Sequence, residues 1–240
     1  MKNIFKYLFI LLVVSGGVET RAQNTTSGEQ RRTIDSLKLA LKNAGHDTAR
    51  CNILNELAET AGDDEWPAFN EQLLKLAEKN AASTSPQKNF YLKHLADALN
   101  NFGFLSELHG DNSKALEFHH KSLKIREDIK DKKGIASSFN NIGAIYRNQG
   151  DPAKALEFYK KSLKIQEEIQ DKRGITLSLN NIGYVYNNQG DIAKALEFHH
   201  KSLKIREGIQ DKSGIGESLS NIGFIYYTQG DIAKALECFN

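Results

Sequence analysis

Cysteine and catalytic motifs are both scarce in this sequence. Its 240 residues contain two cysteines, Cys51 and Cys238, near opposite ends of the chain. They are too far apart to bridge, since a disulfide needs Cα atoms within about 7 Å, and we expect both to be small buried hydrophobic side chains. The sequence has no Ser/His/Asp arrangement, no phosphate-binding glycine loop and no paired-carboxylate motif. These absences argue against an enzyme and against a bound cofactor.

Long apolar runs are missing as well, apart from a short one near the N-terminus. Tyr7–Val14 is apolar but far shorter than the ~20 residues needed to cross a bilayer. It follows two lysines and precedes Thr20-Arg21-Ala22, which places small residues at the −3 and −1 positions of a cleavage site before Gln23. Residues 1–22 are therefore predicted to be a signal peptide, and the protein to be exported to the periplasm or another extracytoplasmic compartment. An uncleaved N-terminal anchor is the alternative.

The chain also lacks an excess of charge of either sign. It has 32 basic and 30 acidic residues, and removing the three basic residues and one acidic residue of segment 1–22 leaves 29 of each. Nucleic acids and anionic membranes both require clustered positive charge. We therefore expect no nucleic-acid partner and no direct membrane binding by residues 23–240.

What the sequence does contain is a repeat of 40 residues. The segments Asp111–Gly150, Asp151–Gly190 and Asp191–Gly230 align without gaps, and roughly two-thirds of positions match between neighbours. Such a period is typical of stacked supersecondary units.

Each unit is predicted to be a pair of helices. Phe139, Ile142, Gly143 and Tyr146 follow the i, i+3, i+4, i+7 spacing of one apolar helical face. The Gly-Asp junctions suit a left-handed helix end followed by an N-cap. The second junction, DKKG at residues 131–134, is interpreted in the same way, with its glycine at a helix end. We expect helices of about 15 and about 20 residues.

These residues resemble the tetratricopeptide repeat. The motif Ile142-Gly143-x-x-Tyr146, continued by Gly150, Ala155, Tyr159 and Ser162, is similar to its L-G-x2-Y … A-x3-F pattern, and the same frame fits residues 102–115, 182–195 and 222–235. The resemblance implies an all-α fold, a right-handed α-solenoid of stacked helix-turn-helix repeats. The unit is six residues longer than usual, and Glu stands at positions 127, 167 and 207, where a terminating Pro is common. It therefore looks like the long-helix variant of kinesin light chains and spindle-orienting adaptors.

The predicted domain organisation follows this repeat. After the signal peptide, residues 23–46 form a leader and a short first helix, and residues 47–85 a degenerate N-terminal capping repeat. Residues 86–240 form the regular array. Its last unit is truncated, because the helix that starts after Asp231 has only nine residues left. A stack that ended there would expose Phe239, so we expect a longer native protein, with a possible membrane tether in its C-terminal part.

The paired histidines are predicted to be structural. His119-His120 and His199-His200 are neighbours in sequence, so their side chains point about 100° apart on a helix and neither pair can chelate a metal alone. His119 and His199 occupy the aromatic core position that Tyr159 fills in the unit between them. No metal site is expected.

The candidate binding site lies on the helix that contains the Ile-Gly-x-x-Tyr motif. This helix is the first of the tetratricopeptide repeat, and it lines the concave surface in tetratricopeptide arrays. Asparagine offers both a donor and an acceptor, so a ladder of asparagines could pair with the backbone of an extended peptide. Asn141 and Asn221 match family positions that grip a peptide backbone or C-terminal carboxylate. A carboxylate clamp also needs basic residues here, and Arg147 stands alone. The predicted peptide-binding residues are Asn101, Asn140, Asn141, Arg147, Asn148, Asn180, Asn181, Tyr184, Asn187, Asn188, Asn221 and Phe224.

Three functions remain open at this point. The first is a non-catalytic scaffold that binds an extended peptide segment of a protein partner in its concave groove. The second is the extracytoplasmic sensor portion of a membrane signalling protein, with a kinase, cyclase or DNA-binding output beyond residue 240. The third is a purely structural spacer, in which the asparagines only bond within or between helices.

Overall fold

The computed structural model describes residues 28–82 and 86–239. Within these ranges the backbone forms helices and turns and no strand, and no helix there is long and apolar enough to cross a membrane. The predicted signal peptide lies outside the described residues. The helices are α1 (Gly28–Asn43), α2 (Asp47–Thr60), α3 (Trp66–Ala81), α4 (Lys88–Leu108), α5 (Asn112–Asp128), α6 (Lys132–Asn148), α7 (Pro152–Glu168), α8 (Lys172–Asn188), α9 (Ile192–Gly208), α10 (Lys212–Thr228) and α11 (Ile232–Phe239).

The chain divides into two compact units at Ser138 and Phe139, inside α6. In the first unit each helix packs against the next, from α1 to α5, and α2 also contacts α4. Its core includes Cys51, Leu54, Leu73 and Tyr91. The structure thus confirms the burial predicted for Cys51, and that burial raises the pKa of its thiol to about 11.

The second unit contains the regular repeats. α7 packs on α8, α8 on α9, α9 on α10 and α10 on α11. Its core is built around Ala155, Tyr159, Ile182 and Val185, which are positions of the repeat pattern. We call the helices that end in a Gly-Asp junction helices A (α4, α6, α8, α10) and those that follow it helices B (α5, α7, α9, α11). The fold class predicted from the sequence, an all-α solenoid of consecutive helix pairs, is confirmed.

The turn from helix A to helix B forms as predicted. Gly110, Gly150, Gly190 and Gly230 have φ between +75° and +80°, a left-handed conformation that costs glycine little. The next residue caps helix B: the Asp151 carboxylate accepts a hydrogen bond of 3.0 Å from the Lys154 backbone N–H. Four equivalent junctions therefore fix the start of every helix B.

The turn from helix B to helix A differs from the prediction. Lys130, Gln170 and Gln210 hold the left-handed conformation, with φ of 59°, 57° and 56°, and the glycine of the DKxG motif lies inside the first turn of the next helix. Gly134 is needed there because a Cβ would lie 2.7 Å from Cδ of buried Arg126. The two helices of a unit are consequently of equal length, 17 residues each.

Candidate functional site

The position predicted to hold an aromatic core residue is buried in three successive helices B. His119, Tyr159 and His199 are 0%, 0% and 3% exposed. Each packs onto the glycine of the Gly-x-x-Tyr motif, and a Cβ on Gly143 would lie 2.9 Å from the Tyr159 ring. The histidines are thus core residues, as predicted, and no cluster of three or more His, Cys, Asp or Glu that could hold a metal occurs among residues 28–82 and 86–239.

The two core histidines have different polar neighbours. Both ring nitrogens of His119 face oxygen atoms, with Nδ1 at 3.1 Å from Asn100 Oδ1 and Nε2 at 3.0 Å from Glu107 Oε1. The residue that corresponds to Glu107 in the repeat of His199 is Asn187. Burial, followed by the nearby His200 and Arg206, lowers the pKa of His199 to about 4, so its imidazole is neutral at pH 7.

A second polar position, seven residues further along helix B, alternates between arginine and glutamine. Arg126 is buried, donates to the Gly134 carbonyl and Ser138 Oγ, and pairs with Asp97 at 2.8 Å. Arg206 makes the equivalent bonds to Gly214 and Ser218 but pairs instead with Glu217 at 2.9 Å.

Glutamine replaces arginine where no acid is available. Gln166, at the corresponding position of α7, accepts a 2.7 Å hydrogen bond from Ser178 Oγ. The residue that corresponds to Glu217 in that repeat is Leu177, which could not balance a buried charge. Each buried arginine is therefore accompanied by an acidic partner, because a buried charge without a partner would lower the stability of the fold.

Three of the asparagines predicted to bind peptide are buried. Asn140, Asn180 and Asn181 are 3%, 6% and 3% exposed. The Asn140 amide lies against Ser178, with 3.0 Å between Asn140 Oδ1 and Ser178 Oγ. The Asn180 oxygen faces the Arg206 guanidinium at 3.1 Å, and its Nδ2 donates to Ser202 Oγ at 3.1 Å. Asn140 and Asn180 thus bond to side chains of neighbouring helices beneath the surface of helix A, whereas the Asn181 amide nitrogen has no hydrogen-bond partner among the described residues.

The other predicted residues are accessible to solvent. Asn101, Asn141, Arg147, Tyr184, Asn187 and Asn221 are half-buried, and Asn148, Asn188 and Phe224 are exposed. Asn101 belongs to the first compact unit, and the others belong to the second. We call the accessible side of α6, α8 and α10 in the second unit the helix A stripe. It comprises Asn141, Arg147, Asn148, Leu177, Tyr184, Asn187, Asn188, Glu217, Asn221, Phe224 and Tyr227.

Contacts between side chains connect the three helices of this stripe. Arg147 of α6 stacks over the Tyr184 ring of α8, with 5.0 Å between its guanidinium carbon and the ring centroid. On the α10 side, the Arg206 guanidinium lies 3.1 Å from the Asn180 oxygen of α8 and 2.9 Å from the Glu217 carboxylate of α10. Stripe residues of α6 and α8 are therefore in contact, whereas α8 and α10 are joined beneath the surface through the buried Arg206.

Leu177, Glu217 and Tyr227 belong to the stripe but are absent from the predicted set, and Glu217 is the charged one among them. It lies four residues before Asn221, as Ser137 lies before Asn141, so the 40-residue spacing contained the signal. Its carboxylate is half-buried and paired with Arg206. The charge at this point of the stripe is therefore already balanced by a buried partner.

The helix pairs, glycine contacts and capped turns lie in a part of the chain that matches a known family. The tetratricopeptide repeat family model matches residues 94–168 and 175–240, more than half of the chain. The protein belongs to the tetratricopeptide repeat (TPR) family. TPR folds are in general non-catalytic scaffolds for protein–protein interaction, and no catalytic family model matches the chain. No curated protein sequence is a match either.

Solved structures with the same fold come from several kinds of protein. BtubC from P. vanneervenii is 19% identical over 88% of this chain and 85% of that chain, with a TM-score of 0.65. Aspartyl phosphate phosphatase F from Bacillus subtilis is 14% identical over 88% and 66%, with a TM-score of 0.66. A Rap protein complexed with competence and sporulation factor is 19% identical over 88% and 59%, with a TM-score of 0.68. At these identities the likeness shows the fold alone.

Proposed function

We propose that this TPR protein is an interaction scaffold whose helix A stripe binds an extended peptide segment of a protein partner. The observation that carries the proposal is the accessibility of amide and aromatic side chains at corresponding positions of successive helices A. Asn141 and Asn221 are half-buried and correspond across two repeats, while Tyr184 and Phe224 expose ring surface beside them. Amides can pair with the backbone of an extended chain, and aromatic rings can hold its side chains.

The fold supports the same proposal. A protein of the same fold, the Rap protein, was solved as a complex with competence and sporulation factor. The buried asparagines Asn140 and Asn180 have partners in the core and are not needed as ligand contacts. The contacts that we propose are therefore made by the accessible members of the predicted set.

A binding measurement with paired substitutions tests the stripe. Peptides are selected from a random library on the immobilised chain, and their affinity is measured for the unchanged chain and for the double variant Asn141→Ala/Asn221→Ala. We expect the double variant to lose affinity at least about tenfold, because interface contacts of this kind dominate binding. The control variant, Lys164→Ala/Lys204→Ala, changes exposed lysines on helices B and should bind normally.

Thermal unfolding of the same variants separates binding from folding. A melting temperature within a few degrees of the unchanged chain is expected for both double variants. Unchanged affinity in the Asn variant would contradict the proposed surface. A loss of affinity that accompanies an equal loss of folding would instead assign these asparagines a structural role.

We also propose that the protein acts outside the cytoplasm. The support comes from the sequence of residues 1–22, in which a basic start, a short apolar run and a small-residue cleavage site follow in order.

A further inference from the structure

The helix A stripe carries almost no charge. Between Phe139 and Asn148 of α6, from Gly174 to Asn188 of α8, and from Gly214 to Thr228 of α10, the charged residues are Arg147 and Glu217. The helices B between them are different. α7 has seven charged residues among its 17 and α9 has six, mostly exposed lysines and glutamates. Charge is therefore concentrated on helices B and kept off the stripe.

The two charges of the stripe already interact within the protein. The Arg147 guanidinium stacks on Tyr184 and donates to Asn148 Oδ1 at 3.1 Å through Nη2. Glu217 accepts a 2.9 Å bond from Arg206, a residue that is 5% exposed. A charged ligand would lose hydration on this surface and would have to compete with these contacts.

The exposed part of the stripe on α10 is aromatic. Phe224 and Tyr227 are 41% and 48% exposed, and they lie one helical turn apart on α10. Tyr184, which corresponds to Phe224 in the preceding repeat, is half-buried and has Arg147 on one face of its ring. Exposed aromatic rings that are flanked by amides offer apolar contact area together with hydrogen-bonding groups.

A buried amide donor in the same helix face has no partner. Asn181 is 3% exposed, and among the described residues no acceptor lies within hydrogen-bond distance of its Nδ2. It lies on α8 between Leu177, four residues earlier, and Tyr184, three residues later, both of which are partly exposed. An unsatisfied buried donor is costly, and an acceptor such as a backbone carbonyl would remove that cost.

We propose that the ligand of the stripe is an uncharged extended peptide segment with aromatic or aliphatic side chains. Its apolar side chains pack on Tyr184, Phe224 and Tyr227, and its backbone pairs with the asparagine amides. This inference rests on the proposed function, because it specifies the chemistry of the peptide that the same surface binds. Electrostatic attraction contributes little to such a complex, so its affinity should hardly depend on salt.

The peptides selected from the random library test this inference directly. We expect enrichment of aromatic and aliphatic residues, no enrichment of acidic or basic residues, and an affinity that changes less than about twofold between about 0.05 M and about 0.5 M NaCl. The variants Tyr184→Ala and Phe224→Ala should each weaken binding at least about tenfold. Tyr186→Phe, which keeps the half-buried ring stacked on Phe198, serves as the matched control for a tyrosine change on α8 and should bind normally.

The possible failures are distinguishable. Selected peptides that are rich in acidic or basic residues, with an affinity that falls steeply with salt, would overturn the uncharged ligand while leaving a peptide-binding stripe. The uncharged ligand is equally overturned if neither Tyr184→Ala nor Phe224→Ala weakens binding but Asn141→Ala/Asn221→Ala does. Failure to select any peptide would overturn the proposed function and this inference together.

Discussion

At the scale of single residues, a helix B position accepts either histidine or tyrosine, and the choice has consequences for pH dependence. Tyr159 and His199 both pack onto a repeat glycine, and a Cβ on that glycine would lie 2.9 Å from the ring in each case. The tyrosine stays uncharged across the acidic range, whereas the histidine can take up a proton. The pattern of the sequence predicted that these positions are core, but the degree of burial that sets the His199 pKa follows from the fold.

We predict that His199 makes the protein less stable in acid. Burial lowers its pKa from 6.5 to about 4, so the unfolded chain binds a proton that the folded chain does not. Below pH 6.5 the free energy of unfolding therefore falls, by on the order of 2–3 kcal/mol as the pH approaches 4. Urea unfolding at about pH 7 and about pH 4.5 measures this loss.

The variant His199→Tyr, which copies the residue at 159, should show a smaller loss of stability between these two pH values. His120→Tyr changes an exposed histidine of another repeat and is the control. If the chain and His199→Tyr lose the same stability on acidification, protonation of His199 is not a cause of the loss.

The buried arginine gives a second prediction for single residues. Glu217→Leu removes the acid that pairs with Arg206 and leaves a buried guanidinium unbalanced, which we expect to cost about 2 kcal/mol. The double change Arg206→Gln/Glu217→Leu recreates the Gln166 and Leu177 of the preceding repeat. It should restore stability to within about 1 kcal/mol of the unchanged chain, as a double-mutant cycle by chemical denaturation would show. Additive losses from the two changes would mean that the residues are not coupled.

At the scale of helices and turns, the repeat unit has two kinds of junction that have similar sequences but different backbone conformations. Both contain Asp and Gly, but Gly150 adopts a left-handed φ of +76° whereas Gly134 is helical. In the second junction the left-handed residue is Lys130, a type that pays a steric cost in this conformation. The function of Gly134 in admitting Arg126 depends on a contact between helices and was not visible in the motif.

The left-handed residue of each turn should therefore favour glycine. Gln170→Gly should raise the free energy of unfolding by up to about 1 kcal/mol, because it relieves the left-handed strain at φ 57°. Gly190→Ala, at φ 78°, should lower it by about 1 kcal/mol. Thermal or urea unfolding of both variants provides the measurement. A stabilised Gly190→Ala would contradict the account given for the first junction.

At the scale of the whole molecule, the signal peptide predicted from residues 1–22 implies a processed, exported protein. We expect the N-terminus of the protein isolated from its source cells to begin at Gln23, and the protein to be in the extracytoplasmic fraction. Intact mass and N-terminal sequencing of each cell fraction provide the measurement. An unprocessed chain that begins at Met1 in the cytoplasm would contradict export, and an integral-membrane species of higher mass would favour the sensor alternative.

The sequence by itself determined the TPR family, the helix pairs and the junctions at Gly110, Gly150, Gly190 and Gly230, because these depend on spacing and local backbone preferences that repeat every 40 residues. The sequence could not show that Asn140 and Asn180 are buried whereas Asn141 and Asn221 are accessible. These residues are of the same type, and the packing of the helix decides which of them faces its neighbours. Tertiary structure decided which asparagines are accessible, paired Arg206 with Glu217, and left Phe224 and Tyr227 exposed on α10. Those outcomes depend on contacts between helices of different repeats.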